Sequence, residues 1–159
     1  MRTVCFSAAI GLALAGAGLI ATPPAAAQTS AAPMPAVAPQ AAVTAEAINN
    51  APRITVKEAA ALVQAGKAVI LDIRQPEAYK AGHIAGSISV TPGSEAGRAA
   101  DFANNGKIII TYCSCKAEHS AARAVVVLRQ NGVADARALL GGYAEWVKEG
   151  KPTAVGDTQ

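Results

Sequence analysis

Two short stretches limit what this chain can fold into. Ala68-Val69-Ile70-Leu71-Asp72 and Lys107–Tyr112 are strongly apolar runs without alternation. A strand with one wet face alternates apolar and polar residues, so a continuous run has to be covered on both faces. Segments with helical signals lie between such runs. Thr55 can cap a helix, and Glu58 three residues on completes a capping box. The helix Val56–Ala65 then stops at Gly66. Gln75–Ala81 makes one or two turns ended by Gly82, and Ser87–Val90 is a short strand. Glu95–Asn104 is a helix stopped by Asn105-Gly106. His119–Gln130 has helical spacing, with Ala122, Val125, Val126 and Arg129 near one face and Asn131-Gly132 at its end. Ala136–Leu140 is the last strand, and Gly142–Glu149 is the last helix, carrying Trp146. This order predicts an α/β fold, one domain with a parallel central sheet and helices on both faces. In such sheets, sites form outside the carboxyl ends of strands.

The ends of the chain read differently. Arg2 precedes an apolar run from Val4 to Ile20, followed by Ala21-Thr22-Pro23-Pro24-Ala25-Ala26-Ala27. A positive start, an apolar stretch and an Ala-x-Ala site are the marks of a secretory signal peptide over 1–27. The competing reading is an uncleaved anchor, but small residues make a poor one. No stable membrane insertion of the mature chain is expected. Export points to a periplasmic or otherwise extracytoplasmic, oxidising compartment. Residues 28–51 are rich in Ala, Pro, Gln, Thr and Ser, with Glu46 as their one charge. Pro33, Pro35 and Pro39 block regular structure, so a flexible leader is expected there. The domain is placed at 52–152, with a short tail over 153–159.

Composition excludes more than it selects. The net charge of +3 comes from 14 basic and 11 acidic residues scattered along the chain. A nucleic-acid footprint would need them clustered, so no nucleic-acid partner is expected, whereas small anions remain compatible. Nothing indicates a nucleotide, haem or flavin site or a dimer, and no resident metal is expected. Cys113 is the residue that stands out. It follows Lys107–Tyr112, and a helix begins a few residues later. A strand, a tight loop and a helix N-terminus aim backbone N–H groups at one place and stabilise an anion, including a thiolate. A buried structural cysteine is the plainer alternative, and the loop position favours the reactive one.

Three stretches together are similar to a known family. The first is Asp72-Ile73-Arg74-Gln75-Pro76-Glu77-Ala78-Tyr79-Lys80-Ala81-Gly82-His83-Ile84-Ala85-Gly86-Ser87-Ile88. The second is the strand-loop-helix Ile108–Ser120 around Cys113. The third is Leu140-Gly141-Gly142-Tyr143-Ala144-Glu145-Trp146. In this order the chain resembles the rhodanese-homology domain, the fold of thiosulfate and other sulfane-sulfur transferases. The resemblance implies that Cys113 attacks a small anionic sulfur donor, carries a persulfide, and passes the sulfur to a thiol or cyanide. It implies a substrate loop of Ser114, Cys115, Lys116, Ala117, Glu118 and His119, whose backbone would cradle the anion. Lys116 would help to draw the donor in. It also implies that His83 supports the fold, and His83 reads as a hydrogen-bonded turn residue. Asp72 and Arg74 end a buried strand and are expected to pair or to bond loop backbone, where Glu77 can join them. Trp146 reads as a core anchor on the last helix.

The loop departs from the commonest sulfurtransferase pattern. Five residues separate Cys113 from His119, and His119 stands where an Arg is usual. The phosphatases that share the fold need that Arg to clamp phosphate through two parallel bonds, which His119 cannot do. Cys115 opens a second class. Two thiols one residue apart could form a disulfide or pass electrons, making a thiol-disulfide redox protein. Cys115 could also release the sulfur of a Cys113 persulfide as sulfide. A weaker grouping is Cys113, Cys115 and His119 as soft ligands for Cu(I). A rhodanese-fold binding module with little turnover is the third class.

The signal-like start makes the first prediction. Protein recovered from the exported fraction should begin at Gln28 on N-terminal sequencing. An intact Met1 or Arg2 on a soluble cytoplasmic protein would sink the localisation.

Overall fold

A computed structural model describes residues 41–157. The signal peptide and most of the leader lie outside the described residues. Thr44 caps α1 (Ala45–Asn49) by accepting from the Ala47 N–H. Ile48 and Ala51 are buried. The expected flexible leader therefore gives way, before residue 51, to a helix that packs on the domain. Its capping Thr and one apolar side chain are enough because the helix His119–Gln130 offers a face to bury Ile48 against.

The capping box forms as expected. Glu58 N–H donates to Thr55 Oγ1, and the carboxylate of Glu58 accepts from Thr55 N–H at 3.1 Å. It opens α2 (Val56–Gln64). The chain continues through β2 (Ala68–Asp72), α3 (Pro76–Ala81), β3 (His83–Ile84), β4 (Ile88–Ser89), α4 (Glu95–Arg98), α5 (Ala100–Ala103), β5 (Ile108–Tyr112), α6 (His119–Gln130), β6 (Ala136–Leu139), α7 (Gly142–Lys148) and β7 (Thr153–Ala154). A two-residue β1 (Arg53–Ile54) precedes α2. The single helix expected over 95–104 is split at Ala99. There the backbone bonds run three residues back, Ala99 N–H to Ala96 and Phe102 N–H to Ala99.

Five strands form one parallel sheet in the order β1-β6-β5-β2-β4. The two apolar runs are thus central neighbours, paired Ala68 with Ile108 through Asp72 with Tyr112. Their side chains alternate between two cores. Leu71 and Ile109 meet Ala121, Ala122, Ala124, Val125 and Leu128 of α6, together with Ile48, Ala99 and Phe102. Ile70, Ile110 and Tyr112 meet Val56 and Ala59 of α2, Leu139, and Trp146 of α7. Helices cover both faces, as the uniform runs required. The buried stripe of α6 differs from the expected one: Ala121, Ala124 and Leu128 belong to it, and Arg129 is exposed.

A second, two-stranded antiparallel sheet pairs β3 with β7. Ala85 N–H donates to Pro152 O, and the Trp146 indole N–H donates to the same carbonyl at 2.9 Å. Thr153 and Ala154 are therefore part of the fold, not tail. Their pairing partner is distant in sequence and left no local signal. His83 is a fully buried strand residue, its Nδ1 2.9 Å from the Tyr79 carbonyl and its ring stacked on Tyr79. Among the described residues no helix is long and apolar enough to cross a membrane.

Ile110 has no solvent exposure, so Ile110→Ala removes contacts on every side and leaves a cavity. It should lower the urea unfolding free energy by about 2–5 kcal/mol at unchanged slope. Val147→Ala, on the half-exposed side of α7, should change it by less than ~0.5 kcal/mol.

Candidate active site

β5 ends the central strand pair, and alternation along it sets the site. Thr111 and Cys113 face α6, and Tyr112 faces α7. The buried Thr111 hydroxyl donates to Ala121 O at 3.0 Å, tying the strand to the first turn of α6. The Tyr112 hydroxyl donates to Asp72 Oδ2 and accepts from Ile84 N–H at 3.2 Å. Burial, then the Asp72 charge, pushes the Tyr112 phenol far above its ordinary pKa. It stays a protonated donor at any working pH.

Arg74 completes this frame. Its Nε and Nη2 donate to the Asp72 carboxylate at 2.9 and 2.6 Å, and Nη2 also donates to Gly82 O at 2.6 Å. Burial works against the guanidinium charge, but the Asp72 bonds outweigh it and raise its pKa. The guanidinium lies 4.4 Å from the centre of the Tyr143 ring and 5.3 Å from that of Tyr112, within cation–π range. Glu77 is exposed and takes no part in these contacts.

Cys113 sits on top of this frame and is 3% exposed. Its carbonyl accepts from Tyr143 N–H at 3.1 Å. Gly142 has a positive φ of 55°, and a Cβ there would overlap the Cys113 carbonyl. Only glycine lets the two backbones meet this closely. The Cys113 sulfur is bonded to that of Cys115. Ser114, Lys116 and Ala117 are exposed, and Cys115 is half-buried. A turn closes where Glu118 N–H donates to Cys115 O at 3.2 Å. Among the described residues, no protein acceptor pairs with the backbone N–H of Ser114, Cys115, Lys116 or Ala117. These groups follow Cys113 directly in the chain, and Cys113 packs in one core cluster with Ala121 and Ala122 in the first turn of the twelve-residue α6.

Glu118 behaves differently from the rest of the expected loop. It adopts a left-handed φ of 49°, is buried, and its Oε1 accepts from Gly141 N–H at 2.7 Å. Arg53 Nε stands 4.0 Å from Oε2. The carboxylate is thus a strut between the loop and the Gly141-Gly142 turn, while the backbone N–H of Glu118 is taken by the Cys115 carbonyl. His119 is exposed on the first turn of α6. Among the described residues no three His, Cys, Asp or Glu side chains are placed to hold a metal ion. The soft-metal grouping of Cys113, Cys115 and His119 is therefore not assembled. Sequence reasoning missed Arg53 and the contact of Tyr143 with Cys113. The Gly141-Gly142 pair was the available signal, since adjacent glycines after a strand allow a close backbone approach.

The family model for the rhodanese-like domain matches residues 55–149. The chain belongs to the rhodanese-like domain family. Its fold is shared with the thiosulfate sulfurtransferase of Pseudomonas aeruginosa at 28% identity and a TM-score of 0.63, over 72% of this chain and 22% of that one. The BH2092 protein of Bacillus halodurans is similar at 26% identity and a TM-score of 0.59, over 66% of this chain and 77% of that one. The HTH-type transcriptional regulator Rv0324 of Mycobacterium tuberculosis is 33% identical over 100 residues, 59% of this chain. This rhodanese-like chain spans only 43% of the length of that curated relative.

Gly142→Ala tests the contact that seats the loop. The new methyl would meet backbone at a positive φ, so the variant should lose more than ~1 kcal/mol of stability. After reduction, its Cys113 should also react with iodoacetamide at an altered rate. Unchanged Tm and unchanged alkylation would mean that the turn does not position Cys113.

Proposed function

We propose that this domain is a sulfurtransferase that works through a persulfide on Cys113. The observation that carries the reading is the place of Cys113: at the end of the central strand, beside unpaired loop N–H groups and the start of α6. Reduction of the bond to Cys115 frees the Cys113 thiolate, which those dipoles stabilise. The thiolate attacks the outer sulfur of thiosulfate, or a terminal sulfur of a polysulfide. A sulfur–sulfur bond forms at Cys113, the donor bond breaks, and sulfite or a shorter polysulfide leaves with the electron pair. A thiol or cyanide then takes the terminal sulfur and restores the thiolate. Family membership and the likeness to a thiosulfate sulfurtransferase support the chemistry. The Ala-x-Ala start extends the proposal to an exported, periplasmic protein.

The Cys113–Cys115 disulfide supports a second reading, a thiol-disulfide redox protein without sulfur transfer. One experiment separates the two. Reduced Cys115→Ser protein treated with thiosulfate should gain one sulfur atom on the peptide containing Cys113, seen by mass spectrometry. Cys113→Ser should reduce thiocyanate formation from thiosulfate and cyanide to background, because a hydroxyl is a far poorer nucleophile at neutral pH. Full transfer by Cys113→Ser would overturn the assignment. Absence of any sulfur adduct on Cys115→Ser, with no hydrosulfide released and rapid disulfide exchange by the wild type, would favour the redox protein.

A further inference from the structure

We infer that Cys115 is a resolving thiol, and that the loop, supplied with electrons by a dithiol, reduces sulfane sulfur to hydrosulfide. The inference rests on the reading of Cys113 as the persulfide-bearing nucleophile. The two sulfurs are bonded across a Cα–Cα separation of 5.7 Å, inside the ordinary range for a disulfide. The loop backbone therefore already brings Cys115 Sγ onto Cys113 Sγ.

The loop is held by contacts that use neither sulfur. Tyr143 N–H binds the Cys113 carbonyl, Glu118 N–H binds the Cys115 carbonyl, and the Glu118 carboxylate binds Gly141 N–H. None of these has to break when the sulfurs join or part. Exposure divides the roles. Cys113 is 3% exposed, while Cys115 is half-buried on the solvent side of the loop. A reductant arriving from solvent meets Cys115 first. Cys113 is then the leaving thiolate, beside the N–H groups that stabilise it.

The steps balance. With the persulfide on Cys113, the Cys115 thiolate attacks Cys113 Sγ. The Sγ–Sγ bond forms, the bond to the terminal sulfur breaks, and that sulfur leaves with the electron pair as hydrosulfide. The sulfane sulfur gains two electrons, and the two cysteines lose one each. An external dithiol then attacks Cys115 Sγ, is itself oxidised to a disulfide, and returns both cysteines to the reduced state. Over a cycle, thiosulfate and a dithiol become sulfite, hydrosulfide, a disulfide and one proton.

Single turnover of the full chain tests this. The protein is reduced, freed of reductant without air, and mixed with thiosulfate. Wild type should release one hydrosulfide per chain, hold no lasting persulfide, and lose both thiols to alkylation. Cys115→Ser and Cys115→Ala should stop at the Cys113 persulfide, with hydrosulfide at background. Wild type that keeps its persulfide and an alkylatable Cys115 would overturn the resolving role and leave the Cys113 nucleophile standing. No persulfide in either variant and no hydrosulfide from wild type would overturn both. The wild-type stoichiometry decides the matter even if a variant folds poorly.

Discussion

Asp72 is a carboxylate with no solvent exposure, placed where the two central strands end. Removing such a charge from water costs several kcal/mol unless partners surround it. Here the Tyr112 hydroxyl, the Arg74 backbone N–H and the Arg74 guanidinium all donate to it. Each partner then does something further. Tyr112 receives the Ile84 N–H and so anchors the start of the small sheet. Arg74 binds the Gly82 carbonyl and lies against the Tyr143 ring. Tyr143 holds the Cys113 carbonyl through its N–H. The position of the cysteine thus traces back, in a few contacts, to one buried charge.

The loop has a second point of attachment in the same place. Glu118 reaches Gly141 while Cys113 reaches Tyr143, so both ends of the loop rest on one three-residue segment. That segment follows β6, the neighbour of β5 in the sheet. A parallel sheet puts the carboxyl ends of adjacent strands on the same side, and this is why the loop meets a segment so distant in sequence, Glu118 with Gly141 and Cys113 with Tyr143. The left-handed backbone of Glu118 is a strained conformation for a side chain of its size. The bond to Gly141 and the buried setting hold it there.

The middle of the molecule was legible because its signals are local. Apolar runs at 68–72 and 107–112 became the central strands, and the Thr55–Glu58 box opened α2 where its spacing placed it. His119–Gln130 matched its helix at both ends. Contiguity made the loop visible, since strand, cysteine and helix follow one another directly. The errors fall where local signal is absent. Two-residue strands such as Arg53–Ile54 and Thr153–Ala154 carry no periodicity and exist only through their partners. α1 exists because α6 gives Ile48 somewhere to be buried.

By itself, the sequence determined the layering of the fold, the order of its main elements and the place of Cys113 at a strand end. Patterns of hydrophobicity and capping act over neighbouring residues and can be read along one line. Only the tertiary structure decided what each charged group near the cysteine does. Glu118 lies within the loop yet points away to Gly141, and Arg74 reaches Tyr143 from the far side of the chain. Those roles depend on which strands become neighbours and on which carboxylate is deprived of water, and neither property belongs to any single stretch of residues.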